Sequence, residues 1–271
     1  MKVTFVGGGN MATALIGGMI GRGFSAANIQ VIEVLPASRT RLTDQFGVRC
    51  AAGAAELAAQ GDVVVMAVKP QQMREAAIAI GANLGNAVVL SIAAGIRLTD
   101  LSRWLGGATA LVRCMPNTPA LIGEGITAAY AAPAVDAARR ADAEIILAPA
   151  GKLVWVDSEA LLDPVTAVSG SGPAYVFYFI EAMQEVAIEL GLTPATARAL
   201  ALQTFRGATE LATRSEESPA ELRARVTSKG GTTEQALASF ERDRVKEAIQ
   251  RGIRAANLRA GELANQFGKD A

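Results

Sequence analysis

Short β-branched runs punctuate the first 158 residues of this chain and then stop. KVTFVG (2–7), IQVIEV (29–34), DVVVMAV (62–68), AVVLSIAAG (87–95), ALVRCM (110–115) and KLVWV (152–156) read as strands. Helical spacing fills several of the intervals, at 10–22, 37–46, 71–80 and 98–105. Near-continuous apolar strands alternating with helices require a parallel sheet covered on both faces. Past residue 160 the strand signals vanish. Segments 173–190, 195–213, 219–226, 233–240 and 243–266 carry helical spacing instead, punctuated by Gly191, Pro194 and Pro219. The pattern predicts two domains, an α/β domain over 1–158 and an all-α domain over 159–271.

The first strand runs straight into VGGGNMATAL, which places Gly7, Gly9 and Ala12 in the G-x-G-x-x-[GA] pattern at the start of a helix. The first glycine turns the chain, the second admits a pyrophosphate to the backbone, and the small third residue lets helix pack on strand. The anion then meets the free N–H groups of the helix N-terminus. A tight turn with no ligand is the alternative. Coming after the first strand of a β/α alternation, the loop marks a Rossmann-type, doubly wound sheet. The end of the second strand chooses the cofactor, since a carboxylate there binds the free ribose diol of NAD and basic groups receive the 2′-phosphate of NADP. Here the signals conflict. Glu33 is an acid at that place, while Ser38, Arg39 and Arg41 follow it, either near the phosphate or on an exposed helix face.

Composition excludes several classes. Of 271 residues, 51% are apolar and 19% charged, so the chain folds around a core. Basic and acidic residues number 26 each with no basic stripe, which argues against nucleic acid as a partner. Cys50 and Cys114 fit no metal or redox spacing and read as buried thiols in a reducing compartment. No metal is expected. Glycines interrupt the apolar N-terminus where a secretory signal needs continuity. Glu181, Glu185 and Glu189 line one face of the apolar helix at 173–190, too costly for lipid. These features point to a cytoplasmic protein without a membrane partner. Histidine is absent, so the usual acid–base group at neutral pH is missing.

Four further motifs occur in one order: MAVKPQQM (66–73), RCMPNTPALIGEG (113–125), AVSGSGPAYVFYFIEAM (167–183) and TSKGGTTEQAL (227–237). Together they resemble the pyrroline-5-carboxylate reductases, from residue 3 to about 260. The resemblance implies reduction of the cyclic imine 1-pyrroline-5-carboxylate to L-proline by NADPH or NADH. It implies a Rossmann domain followed by a helical domain that binds substrate and interlocks with a partner's into a homodimer, with further assembly, such as a decamer, left open. It implies cofactor contacts from Val6, Gly7, Gly8, Gly9, Asn10 and Met11, with Val68, Lys69 and Pro70 bordering the adenosine ribose. Ala93, Ala94 and Gly95 fall on the nicotinamide side, and Asn117 near the reacting centre. Substrate binding falls to Ser228, Gly230, Gly231, Thr232 and Thr233. The chain departs from the family's habit at Glu33-Val34-Leu35, which lacks a Ser, Thr or Asn for a 2′-phosphate, and at Ala54 and Arg225, where some members carry asparagine. NADH is therefore expected to serve at least comparably to NADPH.

The TSKGGTTEQAL stretch answers a physical need of that substrate, which carries one carboxylate and one ring nitrogen. Successive N–H groups at a helix start receive a carboxylate. Gly230 and Gly231 let the backbone approach. Ser228 adds a hydroxyl and Thr233 is expected to place its own on the ring nitrogen, as the catalytic residue. The alternative is that Thr232 or Thr233 merely caps the next helix. Glu216 or Glu217 either faces the cationic ring or is a solvated charge at a helix start. Ser169 and Ser171 suit capping and Pro173 a helix's first turn. Two rivals remain. A β-hydroxyacid dehydrogenase or related imine reductase shares the plan, but the former needs a helix lysine, and 170–190 holds no Lys or Arg. A silent dinucleotide-binding scaffold has no need of TSKGGTTEQAL.

Overall fold

The computed structural model describes residues 1–56 and 61–269. Its packing divides the chain into two compact units, Met1–Ser171 with Ala256–Ala271, and Gly172–Ala255.

In the first unit the elements run β1 (Val3–Val6), α1 (Asn10–Gly21), β2 (Ile29–Ile32), α2 (Pro36–Phe46), β3 (Arg49–Ala51), β4 (Val63–Met66), α3 (Met73–Gly81), β5 (Val88–Ser91), α4 (Leu98–Trp104), β6 (Leu111–Met115), β7 (Gly125–Ala131), α5 (Ala137–Leu147), β8 (Gly151–Trp155) and a short α6 (Leu162–Val165). The strands form one sheet in the order β3-β2-β1-β4-β5-β6-β7-β8. Strand order reverses between β1 and β4, and the crevice beyond the carboxyl ends of strands at such a point is where doubly wound folds bind ligands.

Alternate strand residues feed opposite faces. Phe5 and Val65 join Leu15, Ile16, Met19, Leu42 and Ile146 of α1, α2 and α5 on one side. Val64 and Met66 join Met73, Ile80, Leu101 and Trp104 of α3 and α4 on the other. Each such side chain contributes roughly 1.5–3 kcal/mol when buried, so the sheet and its two helical layers form a rigid platform for the loops at its edge.

The sheet is not wholly parallel as the strand pattern predicts. β7 pairs antiparallel with β6, and β8 pairs parallel with β7. β3 and β7 fall where no strand is expected. β3 is three residues at the sheet edge, and β7 reads GITAAYA, too rich in alanine to announce a strand. Its neighbours on both sides supply the pairing that propensity does not.

The second unit holds α7 (Gly172–Glu189), α8 (Pro194–Arg214), α9 (Pro219–Arg225), α10 (Thr232–Arg242) and the first part of α11 (Val245–Lys269). All five helices lie within two or three residues of the sequence expectation. Ser218 and Glu221 close a capping box on α9, which holds the Glu221 carboxyl below its usual range. Along α7, Phe177, Tyr178 and Val186 are at least half exposed in the single chain. Among the described residues no helix is long and apolar enough to cross a membrane.

Sequence grammar places the domain boundary at 158/159. By packing, residues 159–171 stay with the sheet, because buried Arg113 of β6 holds both Glu159 and Asp163. The end of α11 also returns to that unit, where Ala264 is buried and Asn265 Oδ1 accepts a hydrogen bond from Arg97.

Candidate active site

The carboxyl ends of β1, β2, β4, β5 and β6 bring most of the expected cofactor residues to one edge of the sheet. Gly7 follows β1 with φ +100°, and a Cβ there would lie 2.7 Å from the Ala67 carbonyl oxygen. A Cβ on Gly8 would meet Leu42 at 2.5 Å and the Glu33 carboxylate at 3.1 Å. These two glycines are required by the protein itself. Gly9 is different. It is exposed, with no atom within 4 Å of where its Cβ would be, and its backbone is ordinary extended chain. No local contact demands glycine at this position. The open space above it lies at the uncapped and acid-free start of α1, where free N–H groups favour an anion. Asn10 and Met11 supply first-turn N–H groups, and buried Ala12 is the small residue against the sheet.

Glu33 is placed as expected at the end of β2, but its carboxylate is already in use. Oε2 accepts the Gly8 N–H at 2.8 Å and Oε1 the Leu35 N–H at 2.8 Å. Arg39 and Arg41 do not simply face solvent. Arg39 donates to the carbonyls of Glu33 (2.7 Å) and Val34 (2.9 Å). Arg41 donates to the Gly8 carbonyl at 3.0 Å and the Thr13 hydroxyl at 3.3 Å. The Gly8 peptide is thus held on its N–H side by an acid and on its carbonyl side by a base.

After β4, Ala67 N–H donates to the Val6 carbonyl at 2.8 Å, so Val68, Lys69 and Pro70 leave the sheet beside the glycine loop. Lys69 is exposed and precedes a single helical turn at Pro70–Gln72. After β5, Ala93 is buried and Ala94 half-buried. Gly95 has φ +73°, and a Cβ there would stand 3.1 Å from the Phe267 ring. Its smallness serves packing against α11. Asn117 uses both ends of its amide on the backbone: Oδ1 accepts the Ile126 N–H at 2.9 Å and Nδ2 donates to the Ser169 carbonyl at 3.2 Å. The amide therefore ties the start of β7 to the SGSG segment.

That segment contains a π turn over Thr166–Gly170, closed by Ser171 N–H to the Thr166 carbonyl at 2.8 Å. Such turns concentrate at functional sites. Ser169 does not cap a helix; its hydroxyl donates back to the Val165 carbonyl at 3.1 Å. Gly170 admits the Met115 side chain, which would sit 2.5 Å from a Cβ. Pro173 is in the first turn of α7, as expected.

Sequence reasoning missed Arg113. It is 4% exposed, pairs with Glu159 at 3.2 Å and Asp163 at 3.4 Å, and shares Glu159 with the Leu98 N–H at the start of α4. The signal was present, since a lone guanidinium inside the apolar run ALVRCM needs buried partners. Its neighbour Cys114 is fully buried, which pushes the thiol pKa far above its usual range; Cys50, read from the sequence as buried too, is only half-buried, and both are free.

In the helical unit, the TSKGG stretch forms a turn in which the Gly231 N–H donates to the Ser228 carbonyl at 3.0 Å. Gly230 has φ +75°, and Arg244 is the one non-glycine with positive φ among the described residues, so Lys229 has negative φ. That combination is a type II turn, which needs glycine at its third position. A Cβ on Gly231 would lie 2.7 Å from the Ser228 hydroxyl. Gly231 is the N-cap of α10, with no side-chain capping bond. Thr232 and Thr233 are therefore the first two helical residues and neither caps. Among the described residues the hydroxyls of Ser228, Thr232 and Thr233 are left unspent. Glu217 is paired with Arg225, and Glu216 is exposed.

Comparisons with known proteins bear on both units. Residues 159–263 match the pyrroline-5-carboxylate reductase dimerisation family, and residues 2–95 match the family of coenzyme F420-dependent NADP oxidoreductases. A pyrroline-5-carboxylate reductase from Pseudomonas aeruginosa is 43% identical over 269 residues, covering 99% of this chain and 98% of its own. A solved pyrroline-5-carboxylate reductase from Coxiella burnetii is 38% identical and superposes with a TM-score of 0.90, covering 97% of this chain and 98% of its own. The Plasmodium falciparum pyrroline carboxylate reductase, solved with NADP bound, is 28% identical with a TM-score of 0.88, at the same coverage. An Aspergillus terreus reductive aminase, 18% identical with a TM-score of 0.59, shares the fold. Identity of this order, carried through the sheet and the helices without interruption, places the chain in the pyrroline-5-carboxylate reductase family.

Proposed function

We propose that this chain reduces 1-pyrroline-5-carboxylate to L-proline, the last step of proline biosynthesis, and that its Ser228–Thr233 loop receives the imine. Ser228, Gly230, Gly231, Thr232 and Thr233 are the substrate contacts. The observation that carries this reading is the uncapped start of α10. Among the described residues two threonine hydroxyls stand in its first turn with no intramolecular use, beside a turn built on two glycines. A carboxylate fits the N–H groups of that first turn.

NADPH or NADH, when bound, supplies the hydride. Val6, Gly7, Gly8, Gly9, Asn10 and Met11 receive the pyrophosphate, and Glu33, Val68, Lys69 and Pro70 border the adenosine ribose. Ala93, Ala94, Gly95 and Asn117 shape the nicotinamide side. With Glu33 at the ribose, NADH is used at least comparably to NADPH. The substrate arrives as an iminium, so it is already an electrophile. As hydride adds to the imine carbon (C2 of the substrate, C5 of proline), the C=N π pair becomes the nitrogen lone pair and the N–H proton stays in place. Thr233 Oγ1 accepts that N–H and orients the ring. No strong acid is needed, which accommodates a chain without histidine, and orientation supplies most of the acceleration. The enzyme acts as a cytoplasmic homodimer, with no nucleic-acid or membrane partner.

Steady-state kinetics of Thr233→Ala test the assignment. Losing a hydrogen bond to a charged partner costs about 1.5–3 kcal/mol, roughly ten- to a hundred-fold in kcat/KM for the imine. Cofactor KM stays as in the wild type, which turns over the imine and ignores β-hydroxyacids. Activity of the variant within about two-fold of wild type would remove Thr233 from the reaction.

A further inference from the structure

We infer that Glu234 is a positioning residue for the substrate loop, holding the Ser228–Gly231 turn in the one conformation that leaves its donors free. The inference rests on the reading that this loop binds the carboxylate of the imine. Glu234 is the third residue of α10, and its Oε2 accepts the Gly230 N–H at 2.7 Å. In an ordinary capping box the acid at this position returns to the N–H of the N-cap. Here the N-cap is Gly231, whose N–H is spent on the Ser228 carbonyl. Glu234 therefore reaches one residue further back, to the central peptide of the turn.

That peptide is the weak point of the loop. Type I and type II turns differ by a rotation of roughly half a turn about the central peptide. Glycine at the third position accepts φ of either sign, so nothing local forbids the flip. In the observed form the Gly230 N–H points to the first turn of α10 and the Lys229 carbonyl points away from it. The flipped form would bring the Lys229 carbonyl oxygen to the helix side. Its partial negative charge would then meet the N–H groups of Thr232 and Thr233, the groups a substrate carboxylate needs. By holding the Gly230 N–H, Glu234 keeps that oxygen away. Its own negative charge also stands near the anion site and repels a second carboxylate. The site is open to water, where screening weakens repulsion between charges, so the anchor dominates and removal of Glu234 weakens substrate binding.

The test compares Glu234→Ala, Glu234→Gln and, as a control on the loop, Thr233→Ala, each in the full-length enzyme, with 1-pyrroline-5-carboxylate varied at saturating cofactor. Glu234→Ala is expected to raise the imine KM about ten-fold, with kcat within about two-fold and cofactor KM unmoved. Glu234→Gln keeps an oxygen acceptor for the Gly230 N–H and is expected within about three-fold of wild type. An imine KM that falls or stays unchanged in Glu234→Ala overturns the inference, as does equal damage from Gln and Ala. The control separates the two readings. Thr233→Ala impaired beside an unimpaired Glu234→Ala removes Glu234 alone. Both unimpaired removes the loop as the substrate site.

Discussion

At the scale of single residues, Glu33 carries two roles that a sequence shows as one. An acid at the end of β2 reads as a choice between cofactors, because it accepts hydrogen bonds from a ribose diol and repels a phosphate. In the structure it also anchors the glycine loop through the Gly8 N–H and its own strand exit through the Leu35 N–H. A carboxylate oxygen accepts two hydrogen bonds, so a diol has to share each oxygen with a backbone donor. Replacing Glu33 with Ser removes both the repulsion and the anchor. For NADH both changes are losses, and kcat/KM is expected to fall about ten-fold or more. For NADPH the relief of repulsion is offset by the loosened loop, so its KM falls less than removal of a charge alone suggests. Glu33→Gln keeps one acceptor oxygen and should retain more NADH activity than Glu33→Ser. Measuring KM for both cofactors in the three proteins decides the matter. An NADH KM unchanged in Glu33→Ser would mean that neither the ribose contact nor the loop anchor of this carboxylate limits cofactor binding, with Arg39 and Arg41 setting the preference.

Elements show where the sequence is legible and where it is not. The Ser228–Gly231 turn is local, and its chemistry can be engineered from the turn type alone. Position two of a type II turn favours proline. Lys229 occupies it with negative φ, and among the described residues its N–H has no partner. Lys229→Pro is therefore expected to stabilise the protein by about 0.4–1 kcal/mol, through a less disordered unfolded chain, with imine KM unchanged or lower. A lower melting temperature would mean that Lys229 does not hold the φ a proline needs, or that its N–H is in use in solution. Such local features, like the glycine loop, α7, α8 and the start of α10, are readable because short-range spacing specifies them. β7 is not, since three alanines and a glycine dilute the strand formers of GITAAYA, which becomes a strand only between β6 and β8. Arg113 is conspicuous in its strand, but its partners lie 46 and 50 residues further on. Asn117 likewise stands in a recognisable motif, while its amide bonds to Ile126 and Ser169 emerge only when the sheet edge and the π turn are built.

The whole molecule is constrained by what α7 leaves uncovered. Of its apolar side chains Ile180 alone is buried, while Phe177 is 63% and Tyr178 71% exposed. A helix that exposes this much aromatic surface alongside three glutamates is built neither for water nor for lipid. Obligate interfaces resemble a domain core cut in half, and residues 159–263 match a dimerisation family. A second copy of the chain is therefore the expected cover, with Phe177 central to it. Each aromatic side chain of this size buries about 150–250 Å², so a charge placed there meets a large desolvation cost with no partner to offset it. Phe177→Asp should yield an inactive, unfolded or aggregated protein, whereas Phe177→Leu keeps apolar area and should remain a folded oligomer with reduced stability. Size-exclusion chromatography with light scattering, followed by an activity assay on each fraction, reads both outcomes. A soluble, active monomer of Phe177→Asp would show that α7 is tolerated in water and that the helical unit is complete within one chain.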